Sequence, residues 1–248
     1  DIRSIYDSVT AGEVRDEDAP DGERFRTGPV TITSGQKAVH SGVVPESAIN
    51  AGLTTMLEQS RDDEIPQLVR AVVAHFIFEN VHPFYDGNGR TGRVINILML
   101  IEAGLLRDPI LYLSRAIIAR KNDYYRLLRG VTADDAWIDW ILYMLDVVRE
   151  SATSTTRKIA SIRRCQDDIA ERARATTPGG RDAQFLAVLF EQPYCRINNV
   201  AERCEVSRQT ASSWLHALVA AGLLSEVKVG REVLFVNDEF MDVLTRPE

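Results

Sequence analysis

His82-Pro83-Phe84-Tyr85-Asp86-Gly87-Asn88-Gly89-Arg90-Thr91-Gly92-Arg93 is too rich in reactive and permissive residues to be an ordinary loop. Two glycines flank Asn88 where a helix is about to begin, so backbone N–H groups can converge on an anion with no Cβ in the way. The helix N-terminus adds its own unpaired N–H groups and a partial positive charge. Arg90 and Arg93 are three residues apart and share a helix face, where guanidinium groups suit phosphate oxygens. Asp86 is a hard oxygen donor beside that cradle, which points to Mg²⁺ shared between a carboxylate and phosphates. His82 is the one group of the stretch that accepts a proton near neutral pH. Cradle, metal carboxylate and base together describe phosphoryl or nucleotidyl transfer.

The commoner short motifs do not account for these residues. A P-loop requires Lys followed by Ser or Thr after its second glycine, and an EF-hand loop starting at Asp86 would need Gly at 91 and Glu at 97, where this chain has Thr91 and Ile97. There is no HExxH zinc motif.

Outward from the stretch, Leu68, Val69, Val72, Val73, Phe76 and Ile77 recur at helical spacing behind Pro66 and predict a helix that stops near Asn80, ahead of Pro83. Val94, Ile95, Leu98, Ile101 and Leu105 predict a second helix from about Arg90 to Gly104. It is apolar almost all round and is read as the buried central helix. One helix is expected over about 113–128, then a long pattern from Trp137 through Ile169 whose second half is rich in arginine. His75, mid-helix among apolar residues, reads as a core histidine. The Arg157–Arg174 stretch reads as a solvated face.

Residues 1–50 show weak periodicity, with β-type runs at Val30–Thr33 and Ala38–His40 around a Ser34-Gly35 turn. Thr176-Thr177-Pro178-Gly179-Gly180 cannot continue a helix and is taken as the linker, giving domains 1–177 and 182–248 around 178–181. The second domain carries three helical patterns, 182–190, 198–205 and 207–221, with Ser207 as an N-cap. A hairpin, 224–228 with 232–236, follows. This is the winged helix–turn–helix order, so the fold class is mainly α.

At 248 residues, the chain suits one medium domain plus a small one. The net charge of −7 gives no general pull toward nucleic acid or membrane. The apolar region Val94–Leu106 is too short to span a bilayer, and no leader is seen, although Asp1 in place of Met implies a missing upstream segment. Cys165, Cys195 and Cys204 form no CxxC pair, and Cys195 and Cys204 read as buried packing residues. A reducing, cytoplasmic setting is expected. Residues 182–248 hold six Lys and Arg against ten Asp and Glu, which disfavours DNA binding even though Ser207, Arg208, Gln209 and Ser212 could reach base edges.

His82, Phe84, Asp86, Gly87, Asn88, Gly89, Arg90 and Arg93 fill every position of HxFx(D/E)GNGRxxR, so the chain resembles the Fic (filamentation induced by cAMP) family. Gly22–Arg26, His75–Glu79, Tyr112-Leu113-Ser114 and Tyr124-Tyr125 look similar too. The likeness covers about residues 1–175, and a winged helix often accompanies the bacterial branch. It implies a helical Fic domain with a β-hairpin flap and transfer of AMP from ATP to a Ser, Thr or Tyr hydroxyl of a target protein. By the same likeness His82 is the catalytic base, Asp86 holds Mg²⁺, and Phe84, Gly87, Asn88, Gly89, Arg90, Arg93 and Tyr124 form the nucleotide-binding set, with Phe84 also anchoring the loop in the core. The Asn88 side chain is assigned to the phosphates, Arg90 marks the AMP-transferring rather than the kinase-like branch, and an unknown target docks at a flap spanning about 28–44. Homo-oligomers are compatible with the sequence. The family's inhibitory motif, [S/T]xxxE[G/N], has no match here. Two rival activities follow from the same residues: hydrolytic removal of AMP, and nucleotide sensing by a winged-helix transcription regulator.

Overall fold

A computed structural model of the chain describes residues 1–34 and 37–246. The chain divides into two compact units, Asp1–Thr153 and Ser154–Glu248.

The first unit opens with α1 (Ile2–Val9), capped by the Asp1 side chain on the Arg3 N–H. An antiparallel hairpin follows, β1 (Thr31–Ser34) with β2 (Lys37–Ser41), pairing Thr31 with Ser41 and Ile32 with His40 and irregular after Ile32. The expected turn at Ser34-Gly35 lies partly outside the described residues. Then come α2 (Glu46–Gln59), α3 (Gln67–Val81), α4 (Asn88–Glu102), α5 (Leu113–Ala119), α6 (Lys121–Asp134) and the 40-residue α7 (Trp137–Thr176), whose residues to Thr153 belong to this unit.

The central helix is α3, not α4. It buries eight of its fifteen residues and serves two apolar clusters on opposite sides. Ala71, Val72 and Phe76 join Leu113, Ile117, Leu128, Trp140 and Met144; Ala74, Phe78 and Val81 join Tyr6, Phe25, Ile49, Leu53 and Phe84. α4 instead leaves Leu98 43% exposed, and Leu105 beyond its end is 48% exposed. The first turns of α4 are spent on a cleft, so its apolar residues cannot all face a core. The single helix expected over 113–128 is two, because Arg120 leaves helical geometry (φ −122, ψ 35) and its guanidinium meets Asp146 and Glu150 of α7 at 2.8 and 2.7 Å.

In the second unit, α8 (Ala183–Glu191), β3 (Tyr194–Cys195), α9 (Ile197–Arg203), α10 (Arg208–Ala220), β4 (Ser225–Val229), β5 (Glu232–Val236) and α11 (Asp238–Thr245) follow in turn. The sheet order β3-β5-β4 is antiparallel throughout, and three helices precede the β4–β5 hairpin in the order expected from the sequence. Phe185, Leu189, Val200, Leu215, Leu218 and Phe235 form the core, joined by Cys165, Ile169 and Ala173 from the late part of α7. That contribution is why the units divide at Thr153, well before the expected boundary at 178–181. Pro178–Arg181 is a 3₁₀ turn with Gly179 and Gly180 buried, where a Cβ on Gly180 would lie 2.0 Å from the Ala173 carbonyl oxygen. Among the described residues no helix is long and apolar enough to cross a membrane.

Candidate active site

A cleft of about 470 Å³ opens in the first unit, lined by Glu79 and His82 from the α3 end, Asp86 to Arg90 and Arg93 from the loop and α4, Ile117 and Ile118 from α5, Lys121, Tyr124, Tyr125 and Leu128 from α6, and Ile32 of the flap. Its size suits a nucleotide-sized ligand.

α3 ends because His82 adopts left-handed geometry (φ 52, ψ 62) and Pro83 follows. A non-glycine residue holds that conformation only where its surroundings fix it. Arg26, 0% exposed, supplies the fixing: Nε donates to the His82 carbonyl (2.8 Å), Nη1 to Gly28 (2.5 Å), and Nη2 to Val43 (2.8 Å) and Val81 (3.3 Å). One buried guanidinium therefore ties the α3 end to both margins of the flap. Glu46 orders the approach by accepting from the Arg24 and Phe25 N–H groups, each at 2.8 Å.

His82 Nδ1 lies 3.2 Å from the Glu79 carbonyl oxygen. A carbonyl only accepts, so Nδ1 carries the proton and Nε2 keeps its lone pair. Burial is the main reason the imidazole drops to about 4; the Glu79 hydrogen bond and Asp86 act against it, and the neighbouring His40 and the Arg26 guanidinium lower it further. His82 is therefore neutral at physiological pH.

The loop is closed by Phe84, buried at 0% exposure and stacked on Tyr6 with ring centres 3.7 Å apart. Phe84 anchors the loop and does not line the cleft, so its place in the nucleotide-binding set is corrected. The Asn88 side chain is also committed: Oδ1 accepts from the Phe84 N–H (2.9 Å) and Nδ2 donates to the Phe84 carbonyl (2.7 Å). In place of a side chain aimed at phosphate, Asn88 offers its backbone.

Gly87 begins α4 with φ 81 and no side-chain cap, leaving the first-turn N–H groups to a ligand. A Cβ at Gly87 would sit 2.7 Å from Thr10 Cγ2, so only glycine fits. Arg90 pairs with Glu13 and, at 3.4 Å, with Asp86 Oδ2. Arg93 folds back toward Gly89, with Nη1 2.9 Å from where a Cβ would be. Tyr124 lines the cleft with its ring while its hydroxyl bonds His75 Nε2 at 2.9 Å. His75 is a core histidine, 2% exposed and lowered to about 4 by burial and then by the Arg93 charge.

Asp86 is 57% exposed along its side chain, on the rim beside Gly87. Among the described residues no three His, Cys, Asp or Glu side chains gather to cage a metal. A single carboxylate next to an amide cradle fits Mg²⁺ delivered with phosphates and water, because that ion is rarely held by protein ligands alone.

Sequence reasoning missed four of these residues. Arg26 and Glu79 lie inside segments whose likeness is noted above, but no role attaches to either; Lys121 and Glu13 carry no signal that separates them from surface charges.

Residues 1–100 match the model of the Fic/DOC family, and residues 166–240 match "Protein adenylyltransferase SoFic-like, C-terminal domain". The chain thus carries a Fic/DOC domain followed by a SoFic-like C-terminal domain. A probable protein adenylyltransferase of Aquifex aeolicus is 38% identical over 55 residues, covering 22% of this chain and 17% of the relative. A Caenorhabditis elegans protein adenylyltransferase is 30% identical over 105 residues, covering 42% and 19%. The matched stretches thus span less than a fifth of these two relatives. The crystal structure of a Fic family protein from Desulfovibrio desulfuricans superposes with a TM-score of 0.55 at 20% identity, over 95% of this chain and 67% of that one, which establishes likeness of fold.

Proposed function

We propose that the chain is a protein adenylyltransferase that moves AMP from ATP to a side-chain hydroxyl of a target protein. The observation that carries this reading is a neutral His82, its Nε2 lone pair free, on the same cleft as the uncapped first turn of α4. The matched family models and the names of the relatives support it.

In this mechanism the N–H groups of Asn88 and Gly89, joined by that of Gly87 once it gives up Asp86 Oδ1 (2.6 Å), receive phosphate oxygens and stabilise charge on the α-phosphoryl. Arg90 and Arg93 bind the terminal phosphates, Arg90 exchanging Glu13 and Asp86 for them. Asp86 would hold Mg²⁺, which supplies charge neutralisation on the phosphates. His82 Nε2 takes the proton of the target Ser, Thr or Tyr hydroxyl as its oxygen bonds the α-phosphorus. The bond from that phosphorus to the bridging oxygen breaks, and pyrophosphate leaves. Tyr124, Tyr125, Ile117 and Ile118 give the base an aromatic and aliphatic surface. The target docks as a strand beside the β1–β2 ribbon. The three free cysteines support a reducing, cytoplasmic setting.

The test is intact-mass analysis of the chain and of candidate targets after incubation with Mg²⁺ and ATP. A gain of one AMP in wild type, absent in His82→Ala at unchanged thermal stability, is the expected result. Full transfer by His82→Ala overturns the mechanism.

A further inference from the structure

Tyr85 stands between the anchoring Phe84 and the rim carboxylate Asp86 and lines the cleft, yet the mechanism above gives its hydroxyl no task. That hydroxyl reaches the entry to the flap. It accepts from the Gly28 N–H at 2.9 Å and donates to the Asp21 carboxylate, 3.1 Å from each oxygen. The same carboxylate accepts from the Thr27 N–H at 2.8 Å and from the Thr27 hydroxyl at 2.9 Å. An ionised carboxylate only accepts, so the proton of Tyr85 is committed to Asp21 and its oxygen is left for Gly28. A Cβ on Gly28 would lie 2.7 Å from that oxygen, so any side chain there would push the hydroxyl away.

The two margins of the flap are held differently. On the entry side Gly28 is gripped at both polar groups: its carbonyl accepts from Arg26 Nη1 and its N–H donates to Tyr85. β1 begins three residues later, and Ile32 of β1 lines the cleft. The exit side is tied to the end of α3. There the Val43 N–H donates to the Val81 carbonyl at 3.1 Å, the Val43 carbonyl accepts from Arg26 Nη2, and His40 Nε2 lies 2.7 Å from the Asn80 carbonyl oxygen. None of the exit-side bonds passes through Tyr85.

We infer that Tyr85 is a positioning residue for the acceptor substrate: through Gly28 and Asp21, its hydroxyl registers the entry strand of the flap against the loop that carries His82. This inference rests on the adenylyltransferase reading, with the target docked beside the ribbon. Tyr85 lies three residues after His82 on one short loop, so the clasp fixes the distance between the base and the strand that presents the hydroxyl to it. A register error of this kind reduces productive encounters with the acceptor. The phosphate cradle lies on the other side of Tyr85, from Gly87 onward, and does not depend on the clasp.

The experiment compares the full wild-type chain with Tyr85→Phe, which removes one hydroxyl and keeps the ring, and with Asp21→Ala, which cuts the same clasp at an exposed residue. Hydrogen exchange, calorimetric titration with ATP and Mg²⁺, and steady-state AMP transfer to the acceptor that wild type modifies are measured for each. In Tyr85→Phe, exchange in 27–32 quickens about tenfold, as expected for one lost hydrogen bond, while 40–44 and the second unit keep wild-type rates. KM for the acceptor rises about fivefold, and KM and affinity for ATP stay within about twofold of wild type. The double variant does no more than Tyr85→Phe, because both changes cut one clasp. Were Tyr85→Phe to misfold, Asp21→Ala carries the same comparison. Unchanged exchange in 27–32, faster exchange with an unaltered KM for the acceptor, or an equal rise in the KM for ATP each overturns this inference and leaves the adenylyltransferase reading standing. Failure of wild type to transfer AMP to any acceptor overturns both.

Discussion

The two units solve the problem of burying a core in different ways. Among the described residues the first unit buries Thr10, Arg26, His75, Glu79, Asn88, Thr91, Asn96 and Ser151, whereas the second buries Ser161, Thr177 and Asn237 but no charged side chain, and Asn237 is a helix cap accepting from the Phe240 N–H. A buried charge is tolerated only where its hydrogen bonds are made or its proton is moved. Arg26 takes the first course by donating to four carbonyls; Glu79 takes the second. The unit with the cleft thus carries polar groups that an apolar core would exclude, and the comparison predicts where the molecule is brittle.

The largest effect is expected at Arg26. Arg26→Leu leaves the carbonyls of His82, Gly28, Val43 and Val81 without their donor, and loss of a buried network of that size costs on the order of 4 kcal/mol. Urea unfolding followed by hydrogen exchange of peptides from each unit should show the loss in peptides from 1–153. Equal loss in both units would erase the contrast drawn above.

Next are two fully buried phenylalanines. Phe84→Ala and Phe235→Ala each remove an aromatic ring from a closed core and should destabilise their own unit by about 3–5 kcal/mol. Only Phe84→Ala should also weaken ATP binding, because that ring holds the loop between His82 and Gly87. ATP titration of both variants, at a temperature where each remains folded, separates a residue that shapes the cleft from one that only fills a core.

A pH series sharpens the comparison further. His75 and His82 fall to about 4 from a usual value near 6.5, so their contribution is complete above pH 6.5 and is lost as pH falls toward 4. Glu79 is raised to about 7, so between its unfolded value near 4.5 and pH 7 it favours the folded state more as pH falls. From pH 6.5 to 4.5 two histidine terms oppose one glutamate term. The first unit should then lose about 1.4 kcal/mol per pH unit from these groups, and Glu79→Gln should lose about twice that. Hydrogen exchange at pH 5 and 6.5 reads the slope by unit.

These contrasts also mark what could be read without coordinates. The loop from His82 to Arg93 was legible because its chemistry is local: glycines, a base, a carboxylate and two arginines at fixed spacing. α3, α8, α9 and α10 followed from periodicity and punctuation, ending within a few residues of their expected bounds, whereas α11 (Asp238–Thr245) was not read. α1 and α2 were not read, since their short apolar faces are set by packing on α4 and α3. The kink at Arg120 depends on Asp146 and Glu150, some thirty residues away. Arg26 and Glu79 were opaque for the same reason. A buried arginine and a surface arginine look alike until the partners 17 and 56 positions distant are known. The Asn88 side chain shows the opposite failure, since the motif suggested a ligand where the fold required a clasp.

The smallest effect is expected in the second unit, at a position the sequence did specify. Ser207 caps α10, its hydroxyl accepting from the Thr210 N–H at 3.1 Å. Ser207→Ala removes one partner at an exposed helix end, where water can replace it, so the loss should be about 1 kcal/mol. Ser207→Asp should restore it, because a carboxylate accepts the same N–H and meets the positive end of the helix. Chemical denaturation with exchange read out in 208–220 distinguishes the pair. If alanine cost as much as Arg26→Leu, or if aspartate failed to recover stability, the cap would be part of a buried network like those of the first unit, and the division between a polar, cleft-bearing core and an apolar one would not hold.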